Sequence, residues 1–315
     1  MAVTPRPDLG DKFFAVGGTP ADSMHVGVGA RVGIAQVLGY HPVLAVSGVN
    51  LGPNVSGDVV YSGTVAAARE AAYAGVPAIA TSLALRKATP GSWESAVDAT
   101  CEVAETALRL VGDSTPPGYP RAFDSLPIGR RSLDASGDLA VDWSASAEVL
   151  RDAFARGDVL LNLNVPEGWG VGGRGLFQAT GLGVLYYSDA LSPVEGMDCE
   201  RPSSDAIDLG SSGRTAGAGA PVPSTALQAD ARAAPAARGE VPSFYEIGGG
   251  FSVGAEVVGS DVDALRRGLA SVTTLQAWTE GHPLSLREGI MSRAHLSGGG
   301  EGEGRGLPAW LLGGG

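Results

Sequence analysis

The sequence is poor in cysteine, in basic residues and in aromatic residues. Its 315 residues include two cysteines, Cys101 and Cys199, which are too few and too far apart for a disulfide framework or a cysteine-rich metal site. Lysine and arginine together number 22 against 34 aspartates and glutamates, which gives a formal charge of −12. Binding to a nucleic-acid polymer or to an anionic membrane needs clustered basic residues, so neither partner is expected.

The chain also lacks an apolar run that could form a membrane-spanning helix. The stretch from residue 32 to 57 has no charged side chain, but Pro42, Pro53 and several glycines interrupt it. The N-terminus has no apolar core of a secretory signal. We therefore expect a cytoplasmic protein in a reducing compartment, with an organelle such as a plastid left open.

Glycine and proline, in contrast, are abundant, with 48 and 20 residues. Residues 196–242 consist mainly of Ala, Gly, Pro and Ser, so burial of apolar side chains cannot offset the entropy of ordering them. We predict a disordered insertion there and a loose, glycine-rich C-terminal end from Ser297 onward. Other glycines lie in a single loop between a predicted strand and a predicted helix.

Alternating helix and strand patterns predict an α/β fold with a doubly wound, mostly parallel sheet. A first helix begins with Thr19 as its N-cap and Pro20 as its first residue, and extends to about residue 38. An alanine-rich helix covers 64–73, and a third helix begins at Ser92 with one buried stripe. The predicted stripe, which makes Cys101 a core thiol, comprises Val97, Cys101, Ala104, Leu108 and Val111. The buried strands are predicted at 43–46, 78–83 and 159–166.

A smaller C-terminal part is predicted beyond residue 166. Residues 177–187 and 243–248 have the aromatic and β-branched content of the two strands of an antiparallel arm. A capping box at Ser260 opens a further helix, which is followed by a strand at 271–275. The predicted divisions are an α/β core at 1–166, a hairpin with a closing helix and strand at 167–275, and a tail at 276–315.

One loop concentrates the residues that could bind a ligand. Residues 47–54 leave the carboxyl end of a predicted buried strand, where open α/β sheets bind their ligands. Ser62, Gly63 and Thr64 then open a helix, and free backbone N–H groups at a helix N-terminus suit a phosphate group. Each pattern alone is more typical of a turn or of a simple helix cap. Together in one strand–loop–helix unit, with no charge before Asp58, they favour a phosphate site.

These motifs resemble the SurE family of survival-protein nucleotidases. The resemblance rests on SGVNLGPNVSGDVVYSGTVAAAREA at 47–71 and GVPAIATSL at 75–83. Further matching segments are GGTPAD, LNLNVP, FYEIGG and GSDVDALRRGLASVTTL. Together they cover most of the chain outside the predicted insertion and the tail.

The resemblance implies a Rossmann-like core and a smaller C-terminal part, whose protruding β-hairpin is exchanged between subunits of a homodimer or homotetramer. It implies a phosphomonoesterase that hydrolyses nucleoside 5′- and 3′-monophosphates with a divalent cation, Mg²⁺ or Mn²⁺. Such chemistry would share the phosphoryl charge between the cation and the helix N-terminus.

The resemblance also assigns roles to residues of the loop. Asn50 matches a metal ligand of the family and, with Asn54 and Asp58, belongs to the catalytic loop. The phosphate-binding turn is matched by Ser62, Gly63 and Thr64. The residues expected to line the site are Gly18, Thr19, Asp22, Ser47 and Gly48.

In one respect the sequence departs from the family pattern. The family opens with a strand that ends in Asn-Asp-Asp-Gly and supplies two aspartate metal ligands, whereas the Gly-Thr-Pro motif already begins here at Gly18. We therefore expect this first strand to be missing from the chain. Two functions stay open: a metal-dependent nucleotidase, or a non-catalytic member that keeps the anion-binding turn and the oligomer scaffold. An unrelated α/β nucleotide-binding module would not account for the matching C-terminal segments.

Overall fold

The computed structural model describes residues 1–85, 88, 90–121, 143–171, 175–187, 191–193, 245–247, 251–253, 256–280, 282, 284–298 and 305–312. The predicted disordered insertion at 196–242 lies outside these residues. The described strands are β1 (Val3–Pro5), β2 (Phe14–Val16), β3 (Ala45–Leu51), β4 (Ala78–Leu83), β5 (Val159–Val165), β6 (Phe177–Thr180), β7 (Leu185–Tyr187), β8 (Leu191–Pro193), β9 (Tyr245–Ile247), β10 (Phe251–Val253) and β11 (Ala270–Gln276). The described helices are α1 (Pro20–Val28), α2 (Ile34–Val37), α3 (Asp58–Tyr61), α4 (Gly63–Ala74), α5 (Pro90–Val111), α6 (Trp143–Ala155), α7 (Asp261–Arg266) and α8 (Glu288–Met291), the last followed by a 3-10 helix at Ser292–His295.

Five strands form the central sheet in the order β3-β4-β5-β11-β6. β3, β4 and β5 are parallel, β11 is antiparallel to β5, and β6 is parallel to β11. Helices cover both faces of the sheet, so the predicted α/β fold with a doubly wound, mostly parallel sheet is confirmed. The strands β6 and β11, from the predicted C-terminal part, complete the same sheet as the three strands of the predicted core.

The hydrophobic core has two layers, one on each face of the sheet. On one face, alanines of α4 pack against β4 and β5, and the small side chains allow the helix to lie close to the strands. On the other face, α5 and α6 pack over Leu161 and Leu163. β4 and β5 are buried along their whole length, because helices cover both of their faces.

Two helices near the site begin and end as local sequence rules require. The Thr19 side chain caps α1 and Ser62 caps α4. At the other end of α4, Gly75 adopts a left-handed conformation with φ of +93°. The predicted start of α1 and the predicted alanine-rich helix are therefore confirmed.

The predicted extension of the first helix to residue 38 is wrong. α1 ends at Val28, and α2 begins separately at Ile34. Glycine at the C-cap, Gly29, leaves the helical conformation, and the Tyr119 hydroxyl donates to the Val28 carbonyl oxygen at 3.1 Å. The bond satisfies one of the carbonyl groups that a helix end leaves without a partner.

The predicted buried stripe of α5 is wrong for three of its five residues. Val97 and Leu108 are exposed, and Cys101 is an exposed thiol rather than a core residue, whereas Ala104 and Val111 are partly buried against the core. The buried face lies next to the predicted one and comprises Ala96, Ala99, Val103 and Ala107. Both sets fit helical spacing, and the set with smaller side chains faces the sheet.

The predicted antiparallel arm exists with different pairing. β6, at the start of the predicted outgoing strand, joins the central sheet, whereas β7 pairs with β10 and β8 pairs with β9. The prediction that 177–187 forms one strand of the arm is therefore wrong for its first half. The arm runs out through β7 and β8 and returns through β9 and β10.

The C-terminal end is packed against the sheet where the structure describes it. Trp310 and Leu307 are fully buried in the core beside α6, and the Trp310 ring lies 5.6 Å from the Phe154 ring. The prediction of a loose end from Ser297 onward is therefore wrong for residues 305–312. Glycine content predicted mobility there, but two large apolar side chains anchor the segment.

Candidate functional site

A polar cluster lies at the carboxyl ends of the central strands. Side chains alternate along a strand, so every second residue of β4 and β5 faces α4. On that face the strands begin with apolar residues and end with Ser82, Asn162 and Asn164, all fully buried. This cluster forms the floor on which the loop after β3 rests.

Asn54 holds the loop on this cluster through four hydrogen bonds. Its backbone N–H donates to Asn164 Oδ1 at 2.7 Å, and its side-chain amide donates to Ser82 Oγ at 2.7 Å. Its carbonyl oxygen accepts from the amides of Asn162 at 2.8 Å and Asn164 at 3.1 Å. Asn54 is 7% exposed, so the structure places this predicted catalytic residue beneath the loop rather than at its surface.

β3 extends further along the chain than predicted, since it ends at Leu51 and the predicted strand ended at residue 46. β3 includes Ser47, Gly48 and Asn50, and Asn50 lies beside Ser82 of β4. The Asn50 amide nitrogen donates to the Gly52 carbonyl oxygen at 2.9 Å, which leaves the amide oxygen as the group that could contact a ligand. Ser47 is buried within β3, so the loop predicted to begin at residue 47 begins at Gly52 in the structure.

Two helix N-termini meet beside this loop. A Cβ atom added to Gly63, the first residue of α4, would lie 3.1 Å from Cγ of Pro20, the first residue of α1. The Ser62 hydroxyl accepts from the Val65 N–H at 3.1 Å and so caps α4. Gly63 is exposed and Thr64 half-buried, so the N–H groups of the first turn lie near solvent.

α1 already has an anion at its own N-terminus. Asp22 Oδ2 accepts from the Thr19 backbone N–H and hydroxyl, each at 2.8 Å. These two hydrogen bonds hold the pKa of the Asp22 carboxyl below its ordinary value. The end of α1 is therefore satisfied within the chain, and α4 is the helix whose N-terminus suits an external anion. Gly18 and Thr19, which were predicted to line the site, directly precede α1, whose first residue Pro20 lies beside Gly63.

Asp58 lies at the opposite end of the loop from Asn50. It is the first residue of α3 and is 9% exposed. α3 is a single turn that leads directly into the Ser62-Gly63-Thr64 turn. The structure thus brings the predicted phosphate-binding turn and the predicted catalytic loop into one continuous unit.

A divalent cation does not fit the described donor set. Among the described residues, no three His, Cys, Asp or Glu side chains lie together as a metal-binding group would require. Asp22 is engaged by Thr19, and Asn50 offers a single neutral oxygen, whereas Mg²⁺ and Mn²⁺ prefer several oxygen ligands including carboxylates. We therefore derive no chemical step through a bound metal.

The residues that support the loop were not predicted as site residues. Asn162 and Asn164 belong to the LNLNVP motif, to which no role is assigned from the sequence. Two asparagines at alternate positions in an otherwise apolar strand are the available signal, because buried amides need partners. Ser56 and Asp261, which lie 205 positions apart and bond directly, have no such local signal.

Asp261 has an unusual environment for an acidic residue. It is fully buried, and burial raises the pKa of its carboxyl. Its hydrogen bonds from backbone N–H groups act in the opposite direction and favour the ionised form.

The fold and the turn define an α/β protein in which helix α4 begins beside the loop at the carboxyl edge of the sheet, with N–H groups that suit an anion. A family model described as "Survival protein SurE" matches residues 3–174. A "5′-nucleotidase SurE" of Nitrosococcus oceani is 35% identical over 207 residues, which cover 60% of this chain and 68% of the relative. The chain belongs to the SurE family.

Other matches cover less of the molecule or show weaker likeness. A "5′-nucleotidase SurE" of Citrifermentans bemidjiense is 50% identical over 80 residues, which cover 25% of this chain and 30% of the relative. The chain thus matches less than a third of that relative's length. The crystal structure of SurE protein from Aquifex aeolicus has a TM-score of 0.47 and 21% identity, over 90% of this chain and 76% of the other. Within the described residues, no helix combines the length and apolar character needed to cross a membrane.

Proposed function

We propose that the protein is a phosphomonoesterase that acts on nucleoside 5′- and 3′-monophosphates. The observation that supports this most directly is the α4 N-terminus, where the Ser62-Gly63-Thr64 turn abuts α1 at the edge of the sheet. Family membership supports the activity, since relatives bear the name 5′-nucleotidase SurE. The acidic charge of the chain fits a small substrate held by local donors better than a polymer.

In this proposal the turn binds the phosphate group through backbone donors. The N–H groups of Gly63 and Thr64 and the positive end of the α4 dipole favour an anion. Gly63 allows a phosphate oxygen to approach the backbone, since it has no side chain. Asn50, two residues before the loop, orients the ester from the sheet side through its amide oxygen.

Metal dependence and subunit assembly remain parts of the proposal. Mg²⁺ or Mn²⁺ is expected by resemblance, with Asn50 as the ligand that the resemblance assigns. A homodimer or homotetramer is likewise expected by resemblance, and light scattering of the purified chain measures it. The alternative function is a non-catalytic family member that binds a phosphate ester without hydrolysing it.

The test measures binding and hydrolysis of AMP by the full chain. Phosphate release is followed with EDTA, with Mg²⁺ and with Mn²⁺, and AMP affinity is measured by calorimetry. The enzyme proposal predicts phosphate release from AMP that falls strongly in Asn50→Ala, and comparison of the three conditions measures whether release needs a cation. Binding without release in any condition would favour the non-catalytic alternative, and absence of both would refute the proposal.

A matched pair of variants tests the turn itself. Proline is well tolerated as the first residue of a helix, so Gly63→Pro removes one N–H donor while α4 can still form. Gly63→Ala adds the same Cβ beside Pro20 and keeps the N–H, and is therefore the control. Loss of one charge-assisted hydrogen bond is worth about 1.5–3 kcal/mol, or roughly a 10- to 150-fold weaker affinity for AMP. Equal affinities of the two variants would exclude the Gly63 N–H as a phosphate donor.

A further inference from the structure

Asp261 joins three separate segments through its carboxylate. It is the first residue of α7 and is fully buried. Its Oδ2 atom accepts from the Ser56 N–H at 2.8 Å. Its Oδ1 atom accepts from the Gly183 N–H and from the Val262 N–H, each at 2.8 Å. One side chain therefore ties the site loop to the start of the arm and to α7.

Ser56 completes the junction from the side of the loop. Its backbone has a φ of +52°, a conformation that few residues other than glycine adopt without support. Its hydroxyl donates to the Gly183 carbonyl oxygen at 2.9 Å and accepts from the Leu185 N–H at 2.7 Å. The hydrogen bonds to Asp261 and to residues 183–185 supply the support that the backbone conformation needs.

The junction is a second anchor of the site loop. The first anchor is Asn54, held by the floor of the sheet. Ser56 lies two residues later, between Asn54 and Asp58, and the chain then passes through α3 into the phosphate-binding turn. Ser56 bonds this part of the loop to residues 183–185 at the start of the arm, a contact that Asn54 does not make.

We propose that Asp261 is a positioning residue that holds the loop at 55–58 and the following turn in the geometry that the site needs. The inference rests on the proposed function for the reaction that it assists, and on the hydrogen bonds alone for the ordering of the loop. Asp261 touches no reacting group and acts through Ser56. No local sequence pattern links the two residues, since 205 positions separate them.

The packing around the junction makes the inference testable without unfolding the protein. Val55, Leu185 and Val262 form a small apolar cluster of their own, separate from the two main layers of the core. A change confined to the junction should loosen this cluster and the loop, while the two main layers remain packed.

The test compares Asp261→Asn with Asp263→Asn. Both variants remove one negative charge from the first turn of α7, but Asp263 accepts from the Gly259 N–H and pairs with Arg267, away from the loop. Asp261→Asn replaces one acceptor oxygen by an NH₂ group, which is a donor and cannot accept a hydrogen bond from a backbone N–H group of the junction. Ser56→Gly is the second variant, because glycine accepts the positive φ and removes only the hydroxyl contacts.

The first measurement is amide hydrogen exchange of each variant, which needs no substrate. Asp261→Asn should speed exchange at 55–62 and leave β4 and β5 protected, whereas Asp263→Asn should match the parent chain. Unchanged exchange at 55–62 in Asp261→Asn would overturn the proposal whatever the activity of the protein.

The second measurement separates positioning from stability. At a temperature where both variants are fully folded, Asp261→Asn should lower kcat for AMP by about 10- to 100-fold, the scale expected for misplaced groups. KM should change less, because Ser62 still caps α4, and Asp263→Asn should keep both constants within about twofold of the parent chain. Equal kinetics of the two variants would overturn the positioning role.

If the parent chain binds AMP but does not hydrolyse it, the proposed function fails. The same comparison is then made on AMP affinity, where equal affinities overturn the inference. A parent chain that neither binds nor hydrolyses AMP would overturn the positioning role along with the proposed function.

Discussion

Gly48→Ala should destabilise the protein more than other glycine-to-alanine changes near the site. Gly48 has a φ of +130°, a conformation that side chains disfavour. A Cβ atom there would lie 2.7 Å from Thr81 Cγ2 and closer still to the Thr81 carbonyl oxygen of the adjacent strand β4. The carbonyl belongs to the backbone of a fully buried strand and has little freedom to move.

The expected cost combines two effects of similar size. Backbone strain at such a residue costs about 1–3 kcal/mol, and an overpacked contact costs about 1–3 kcal/mol more. The sum, about 2–6 kcal/mol, is a large fraction of the roughly 5–15 kcal/mol that stabilises a typical domain. The displaced backbone also lies two residues before Asn50, so AMP binding should weaken together with stability.

Urea unfolding followed by tryptophan fluorescence measures the effect, with Gly27→Ala as the matched control. Gly27 lies within α1 and an added Cβ atom meets nothing within 4 Å. Alanine is a better helix former than glycine, so the control should be neutral or more stable by about 0.5–1 kcal/mol. A free energy of unfolding for Gly48→Ala equal to that of the control would refute both the strain and the clash.

Three further outcomes are expected. Thr19→Val removes the hydroxyl that donates to Asp22, so the pKa of the Asp22 carboxyl, measured by NMR titration, should move back toward its ordinary value. Because the pKa of Asp22 is lowered in the folded state, the ionised carboxylate stabilises the fold above its ordinary pKa, and this stabilisation is lost as pH falls through the lowered value. The variant should therefore lose less stability than the parent chain over that acidic range. Asn54→Ala leaves Ser82 without its 2.7 Å partner in a buried cluster and should cost about 1–3 kcal/mol in urea unfolding, whereas an unchanged midpoint would contradict the anchoring role. Trp310→Ala empties a fully buried site and should cost about 3–5 kcal/mol, and a melting temperature equal to the parent's would mean that the C-terminal segment is not part of the core.

Local features were predictable because their causes lie within a few residues. The caps at Thr19, Ser62 and Ser260 depend on one side chain and on backbone groups three residues away, and the structure contains all three. The buried strands at 78–83 and at 159–165 follow from runs of mainly apolar or small residues between helices, although the second run includes two asparagines. The start of α4 at Ser62-Gly63-Thr64 was predictable for the same reason, since strand, loop and helix start are contiguous in sequence.

Features that depend on which surfaces meet were not predictable. Two stripes of α5 fit helical spacing, and only packing against the sheet selected the face with Ala99 and Val103 over the face with Cys101. Glycine around the C-terminal segment predicted mobility, yet Trp310 packs into the core beside α6.

The same distinction applies to the site. The sequence by itself determined the helix start that suits a phosphate and the presence of asparagines that could contact a ligand there. The tertiary structure alone decided that Asn54 is a buried anchor, and that Ser56 is held by Asp261 from the far end of the chain. A hydrogen bond between residues 205 positions apart depends on the complete sheet bringing them together, and such a contact has no signature in either local sequence.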